Sequence, residues 1–214
     1  MTYVMGIDIG INNLAIVLVK VSPDWKIESI EECKLINITE FKHEKVELID
    51  CKLFHTKTMT DWLEHVFQEE YDIFSMAEYI LIERQPPQGF VSVEQLIFSK
   101  FRQKSILVHP NSVSAWIFPN SIVNTYEERK LKSEDYATDV FEKCDSLHFY
   151  SWILMERKHD IADAICMISY WLNNKHNEWD RDERRKKFDT LTLKTDKGDT
   201  QKVNDWFEKY RYRG

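Results

Sequence analysis

The sequence is poor in the residues that several common kinds of site require. Its 214 residues include only five glycines and five prolines, and its four cysteines are scattered without a paired CxxC spacing. Neither a zinc site nor a disulfide framework is therefore indicated. Unpaired, scattered cysteines are typical of a reducing compartment, where thiols stay free.

Long apolar runs and an N-terminal leader are also lacking. No stretch approaches the roughly 18 consecutive apolar residues of a membrane span. The first residues pass directly into a strand-like run, without a basic or apolar leader. We therefore expect an intracellular protein that carries neither a signal peptide nor a transit peptide.

The chain has no excess of positive charge either. Its formal net charge is −7 at pH 7, which argues against nucleic-acid binding because lysine and arginine drive non-specific binding to phosphate. The negative charge is concentrated, however, since residues 24–78 contain 14 acidic and 6 basic residues. The remainder is close to neutral, so one face of the protein can still be basic.

What the sequence does contain is a succession of apolar strands. Residues 1–20 read as two strands joined by a hairpin signal, and residues 26–38 alternate as a third strand of an antiparallel meander. Short apolar runs at 79–82 and 106–108 predict two more strands. Because a helical segment separates these last two, they favour parallel additions. The pattern predicts an α/β protein with a mixed five-stranded sheet flanked by helices.

The remaining chain is predicted to be largely helical. Helical patterns cover residues 58–77, with a break near Tyr71-Asp72, residues 125–144, and residues from about 152 to 171, while residues 41–54 give only a weak extended pattern. Beyond Asn173 the sequence becomes charged and apolar periodicity fades. We therefore predict one domain over residues 1–174 and a charged C-terminal extension over residues 175–214.

Four acidic residues are placed where they need a physical reason. Asp8 lies within the first apolar strand, Glu83 ends the fourth, and Asp160 and Asp163 are three residues apart on the last helix. An ionised aspartate in a strand that is buried on both faces costs on the order of several kcal/mol, unless it is paired or binds a cation. The alternative for Asp8 is a turn residue that reaches water near Gly10. If the sheet and its covering helix bring the four together, hard oxygen ligands favour Mg²⁺ or Mn²⁺.

Four segments carry a resemblance to a known family. In order they are GIDIGINNLAI, LIERQP, TYEERKLKS and RKHDIADAI. They resemble the successive motifs of RuvC-type Holliday junction resolvases of the ribonuclease H-like superfamily, and most closely those of the branch found in poxviruses and related large DNA viruses. The resemblance covers residues 1–171, and its motifs are specific in combination.

This resemblance implies a ribonuclease H-like fold and a Mg²⁺-dependent endodeoxyribonuclease, with Mn²⁺ as a substitute and two ions in each active site. Such enzymes are homodimers that nick two opposing strands of a four-way DNA junction symmetrically. A viral protein of this kind would be expected in the host cytoplasm or the virion, with no membrane or small-molecule partner.

The family's metal-binding and catalytic acids correspond to Asp8, Glu83, Asp160 and Asp163. The family's basic stretch is thinner here, because acidic residues precede Arg129. The candidate DNA-contacting residues are Arg84, Gln85, Arg129, Lys130, Lys132, Arg157 and Lys158. A solvated helix face is an equal alternative for the two lysines at 130 and 132. Arg84 and Gln85 directly follow Glu83, so the role expected of them is a phosphate contact or a structural pairing. For four aromatic residues the alternatives are stacking on junction bases and packing in the core, of which core packing is the commoner: Trp116, Phe118, Tyr126 and Phe149.

Other functions remain open at this point. A flap or RNA–DNA hybrid nuclease of the same superfamily would have the same metal site. A branched-DNA-binding subunit without turnover is the non-enzymatic alternative, against which the presence of all four acids argues. An actin-like or sugar-kinase-like phosphotransferase needs further Gly-rich phosphate loops, which five glycines do not supply.

Overall fold

The computed structural model describes residues 1–41, 58–119, 125–144 and 147–194. Its sheet consists of β1 (Thr2–Asp8), β2 (Leu14–Val21), β3 (Ile27–Ile36), β4 (Tyr79–Glu83) and β5 (Ser105–Val108). The strands lie in the order β3-β2-β1-β4-β5. The first three pair antiparallel, whereas β4 runs parallel to β1 and β5 runs parallel to β4. The predicted sheet, a meander with two parallel additions, is confirmed.

Helices cover both faces of the sheet. They are α1 (Met59–Glu69), α2 (Tyr71–Met76), α3 (Val91–Lys100), α4 (Pro110–Ile117), α5 (Tyr126–Lys143), α6 (Phe149–Leu154) and α7 (His159–Lys194), and a 3-10 turn spans Ile38–Phe41. The predicted break in the first helical segment lies at Glu70, between α1 and α2. In the part of the chain that the structure describes, no helix has the length and apolar character needed to cross a membrane.

Each face of the sheet has its own hydrophobic core. On β2, Val17 and Val19 point to the core beneath α5 and α7, whereas Ile16 and Leu18 point to the core beneath α1, α2 and α3. Strands that are buried on both faces need apolar side chains at nearly every position. This explains why the first two strands read as continuous apolar runs rather than as alternating ones.

Gly6 sets the distance between β1 and α7. A Cβ atom at this position would lie 2.8 Å from the carbonyl oxygen of Ala164 and 2.8 Å from Cγ1 of Ile168. Only glycine therefore permits this close approach of helix and strand. As a result, the first turn of α7 lies beside the carboxyl end of β1, where Asp8 is found.

Two short helices were not predicted from the sequence. α4 begins at Pro110, directly after β5, and its N-cap His109 accepts a hydrogen bond at Nδ1 from the backbone N–H of Asn111 at 3.2 Å. The predicted helix over residues 152–171 is wrong at its start, because Trp152 belongs to α6 and α7 begins at His159. Trp152 is fully buried and stacks on Phe141 with ring centroids 4.9 Å apart. This tertiary contact fixes α6 as a separate element.

α7 is longer than its apolar periodicity indicates. It runs for 36 residues to Lys194 and so continues through the predicted boundary between residues 174 and 175. Charge pairs three or four residues apart support its later turns, among them Lys175 with Glu178 at 3.0 Å and Lys186 with Glu183 at 2.9 Å. The division into a domain and an extension stays a prediction. Residues 195–214, and most of the weak extended pattern at 41–54, lie outside the described residues.

Candidate active site

Two of the four acids are brought together by strand pairing. β1 and β4 are parallel neighbours with Ile7 opposite Ile82, so Asp8 and Glu83 come next on each strand and lie side by side. A hydrogen bond joins their two carboxyl groups and contributes to the raised pKa of Asp8. Two carboxylates this close cannot both ionise unaided.

The other two acids come from the first turn of α7. Asp160 and Asp163 line the same cavity as Asp8 and Glu83, and this cavity has a volume of about 320 Å³. The structure thus brings all four predicted acids to one place. Within the described residues, however, no three acidic, His or Cys side chains are close enough to form a ready-made metal site. The four acids therefore line one cavity, but their side chains are not arranged as a complete set of metal ligands.

Three carboxyl groups in this cavity, those of Asp8, Glu83 and Asp163, have raised pKa values. Burial raises the pKa of Asp8 well above its usual range, and repulsion from Glu83 and Asp163 adds to the effect. Burial also raises the pKa of Glu83, against the effect of hydrogen bonds from Asp8 and Gln85. Burial raises the pKa of Asp163 to about 6, although a hydrogen bond with the Ser133 hydroxyl opposes the rise. A divalent cation would relieve this crowding of negative charge, and a set of oxygen donors fits Mg²⁺.

Asp160 is held by its neighbours on the chain. Its Oδ2 accepts a hydrogen bond from Nε of Arg157 at 2.5 Å, and its Oδ1 lies 3.3 Å from Nε2 of His159. Burial lowers the pKa of His159, which favours the neutral imidazole. Arg157, predicted to contact DNA, is half-exposed and pairs with one of the four acids.

Four of the basic residues predicted to contact DNA divide into two groups. Arg129 and Lys130 line the cavity of the four acids, and Nζ of Lys130 lies 4.3 Å from the centre of the Tyr126 ring. Lys132 lies outside that lining, with its Nζ 5.6 Å from the ring centre of Phe118. Lys158 also lies outside the cavity lining, and its Nζ is 5.7 Å from the ring centre of Trp152. The structure therefore places two of these cations at the cavity of the four acids and the other two outside it.

The two residues after Glu83 point in different directions. Arg84 is exposed, and its backbone N–H donates to the carbonyl oxygen of Val108 at 2.9 Å. Gln85 turns back, and its Nε2 donates to Oε2 of Glu83 at 2.7 Å. Glu94, which sequence reasoning missed, is only 4% exposed and accepts a hydrogen bond from the backbone N–H of Gln85. A glutamate in an amphipathic helix carries no sequence signal of such a role.

The candidate stacking residues also separate. Trp116 packs against Tyr136 and Tyr170, with ring centroids 5.9 and 6.1 Å away. Phe149 is half-buried against the same core. Tyr126, in contrast, is 58% exposed and lines the cavity. Phe118 lines the cavity as well, so Tyr126 and Phe118 are the two of the four candidates that lie where a ligand would bind.

Solved structures share this fold. The fowlpox virus resolvase in complex with substrate Holliday junction DNA matches with a TM-score of 0.58 and 15% identity, over 81% of this chain and 98% of that chain. The yeast mitochondrial Holliday junction resolvase matches with a TM-score of 0.57 and 20% identity, over 83% of each chain. The fold is thus that of the resolvases of the ribonuclease H-like class, as predicted.

The family can be stated more narrowly. Residues 2–175 match the protein family described as "Poxvirus A22 protein". This chain therefore belongs to the poxvirus A22 family, and the predicted viral branch is confirmed. No curated protein sequence is significantly similar to it.

Proposed function

We propose that this chain is a Holliday junction resolvase, a Mg²⁺-dependent endodeoxyribonuclease that makes paired, symmetric nicks in a four-way DNA junction. The observation that carries the proposal is the convergence of four carboxylates from β1, β4 and α7 on one cavity, which Arg129 and Lys130 also line. The chain belongs to the poxvirus A22 family. It also shares its fold with a fowlpox resolvase whose structure contains junction DNA.

The four acids are the residues that would hold the metal. Their donor atoms are all oxygens, they are buried or half-buried, and burial raises the pKa of three of them. This donor set suits Mg²⁺, with Mn²⁺ as a substitute, and four carboxylates are enough for two ions. When bound, such ions supply an activated water and stabilise the leaving oxygen of the phosphodiester.

The chain's own side chains have distinct parts in this proposal. Arg129 and Lys130, at the cavity, neutralise the phosphate that approaches the acids. Arg157 holds the carboxylate of Asp160 in one orientation. Asp8, whose pKa is raised by burial, would have to be ionised to hold a cation, because metal ligation requires the carboxylate. Catalysis should therefore improve as the pH rises towards neutrality.

Paired nicking requires two active sites. Each chain supplies one set of the four acids, and a four-way junction has two equivalent strands to cut. A homodimer with two-fold symmetry matches this geometry, because it presents two identical cavities. For a viral enzyme acting on viral DNA, we propose the host cytoplasm as the place of action.

The proposal is tested by comparing substrates. The protein is incubated with a mobile four-way junction, a flap, an RNA–DNA hybrid and a linear duplex, each with and without Mg²⁺. We expect symmetric paired nicks in the junction alone, and only with Mg²⁺. Equal cleavage of the flap or the hybrid would instead indicate a less selective nuclease of the same superfamily. Junction binding without any nicking would indicate a binding subunit.

A further inference from the structure

The loop that follows Glu83 folds back onto this residue. Nε2 of Gln85 donates to Oε2 of Glu83 at 2.7 Å, and Oε1 of Gln85 accepts from the backbone N–H of Phe90 at 3.3 Å. The orientation of the amide is therefore determined, because a backbone N–H can only donate. Both ends of the Gln85 side chain are engaged within the protein.

Glu94 holds the backbone of the same loop. Its Oε2 accepts from the backbone N–H of Gln85 at 2.6 Å, and its Oε1 accepts from Nε2 of Gln95 at 2.7 Å. The side chain is only 4% exposed, and a buried carboxylate is costly unless its oxygens are hydrogen-bonded. Neighbours of Glu94 on α3, Val93 and Ile97, belong to the core on the face of the sheet opposite α7. The loop after Glu83 is thus anchored to α3, a helix that packs in the core.

Gly89 allows the loop to close. A Cβ atom at this position would lie 2.8 Å from Oε1 of Gln85 and 3.0 Å from Cδ of Pro86. The backbone N–H of Gly89 also donates to the carbonyl oxygen of Pro86 at 2.8 Å. A larger residue would therefore push the Gln85 amide out of its position.

We infer that Gln85 and Glu94 are positioning residues for Glu83: Glu94 fixes the backbone of Gln85, whose amide then orients the Glu83 carboxylate towards Asp8 and the metal. This inference rests on the proposed function. It differs from the DNA contact predicted for Gln85 from the sequence, which stays a prediction. Partners of metal ligands commonly change metal affinity or activity by about 10-fold to 100-fold when they are removed, so the two roles can be distinguished.

The test measures metal binding and DNA binding separately. Gln85→Met removes the amide but keeps the length of the side chain, and Gln88→Met is the matched control, because Gln88 is an exposed glutamine of the same loop. Mn²⁺ binding to the protein alone is followed by electron paramagnetic resonance of the free ion. We expect about 10-fold weaker binding in Gln85→Met and no change in Gln88→Met. Junction affinity in EDTA should equal that of the wild type in both.

Two further measurements sharpen the result. The Mg²⁺ concentration for half-maximal nicking should rise about 10-fold in Gln85→Met, and Glu94→Gln should shift it in the same direction by less. If Gln85→Met does not fold, Gly89→Ala serves as the second variant and should weaken Mn²⁺ binding in the same way. Unchanged Mn²⁺ affinity with weaker junction binding in EDTA would overturn the inference in favour of a DNA contact. A wild type that binds Mn²⁺ but never nicks a junction would refute the proposed function instead.

Discussion

The two halves of the acidic cavity are built in different ways. Asp8 and Glu83 come from adjacent parallel strands whose register sets them side by side, with their carboxyl groups hydrogen-bonded. Asp160 and Asp163 come from one helical turn, and each has a polar partner from its surroundings, Arg157 and Ser133. Backbone pairing thus fixes the strand half, whereas side-chain packing fixes the helix half. The helix half should therefore be the easier one to displace without unfolding the protein.

The largest effect is expected from the strand half. Asp8→Asn removes one of the four carboxylates proposed to hold the metal, and it should lower the nicking rate at least about 1,000-fold, since a bound ion would contribute several kcal/mol to stabilising the transition state. Junction binding in EDTA should be retained, because Asp8 carries no positive charge for phosphate. Single-turnover cleavage and a gel-shift titration measure the two quantities.

Asp72→Asn is the control for this variant, because Asp72 is exposed on α2, which packs on the other face of the sheet. It should cleave like the wild type. Nicking by Asp8→Asn at more than a few per cent of the wild-type rate would remove Asp8 from the metal site and return it to a structural role.

Gly6→Ala should separate the two halves of the cavity. The added methyl group would lie 2.8 Å from the backbone oxygen of Ala164, so α7 must move away from β1. We expect a loss of about 1–3 kcal/mol in the free energy of unfolding. Nicking by the folded variant should fall about 100-fold, because a shift of about 1 Å is enough to disturb catalytic geometry to that extent.

The matched control is Ile168→Val, which removes a methyl group at the contact between Gly6 and Ile168 instead of adding one. It should cost about 0.5–1.5 kcal/mol of stability and should cleave normally. If folded Gly6→Ala cleaves at the wild-type rate, the position of α7 relative to β1 does not limit catalysis. The distinction between the strand half and the helix half would then have no consequence for activity.

The sequence predicts the strand half better than the helix half for a physical reason. Apolar runs around Asp8 and before Glu83 reveal buried strands, and a buried carboxylate then needs an explanation. The spacing of Asp160 and Asp163 shows that they share a helix face. It does not show that Arg157 pairs with Asp160, since such contacts depend on how a loop enters the helix.

Dependence on tertiary contacts also explains why the sequence did not predict the contact between Gln85 and Glu83 or the separate helix α6. Whether Gln85 faces DNA or Glu83 is decided by Glu94, nine residues later, and by the room that Gly89 leaves. Helix α6 is decided by the burial of Trp152 against Phe141. Local patterns contain no information about contacts of this kind, because short elements are stabilised mainly by tertiary packing.

The helix half should also respond to pH. The pKa of Asp163 is raised from 3.8 to about 6 in the folded protein. The folded state therefore holds this proton more tightly than the unfolded state, and the resulting stability is complete below about pH 3.8 and is lost as the pH rises through 6. Without metal, Asp163→Asn should thus be more stable than the wild type at pH 7.5, by up to about 3 kcal/mol, with no difference near pH 4.

Urea unfolding in EDTA at several pH values measures this difference. Asp135→Asn, at an exposed position on α5, is the control and should match the wild type at each pH. Added Mg²⁺ should stabilise the wild type and narrow its gap to Asp163→Asn at pH 7.5. A gap that stays constant from pH 4 to 7.5 would contradict the raised pKa.

The smallest effect concerns the cations beside the helix half. Lys130 lies on α5, like Ser133, and lines the cavity. Lys130→Met should weaken junction binding only severalfold, and the slope of log affinity against log salt should become less steep by about 1, because one phosphate contact is lost. Lys143→Met, at the far end of α5 where Lys143 pairs with Asp139 at 3.3 Å, is the control and should leave the slope unchanged. Equal salt slopes for the two variants would mean that Lys130 belongs to a solvated helix face. Arg129 alone would then contact the phosphate.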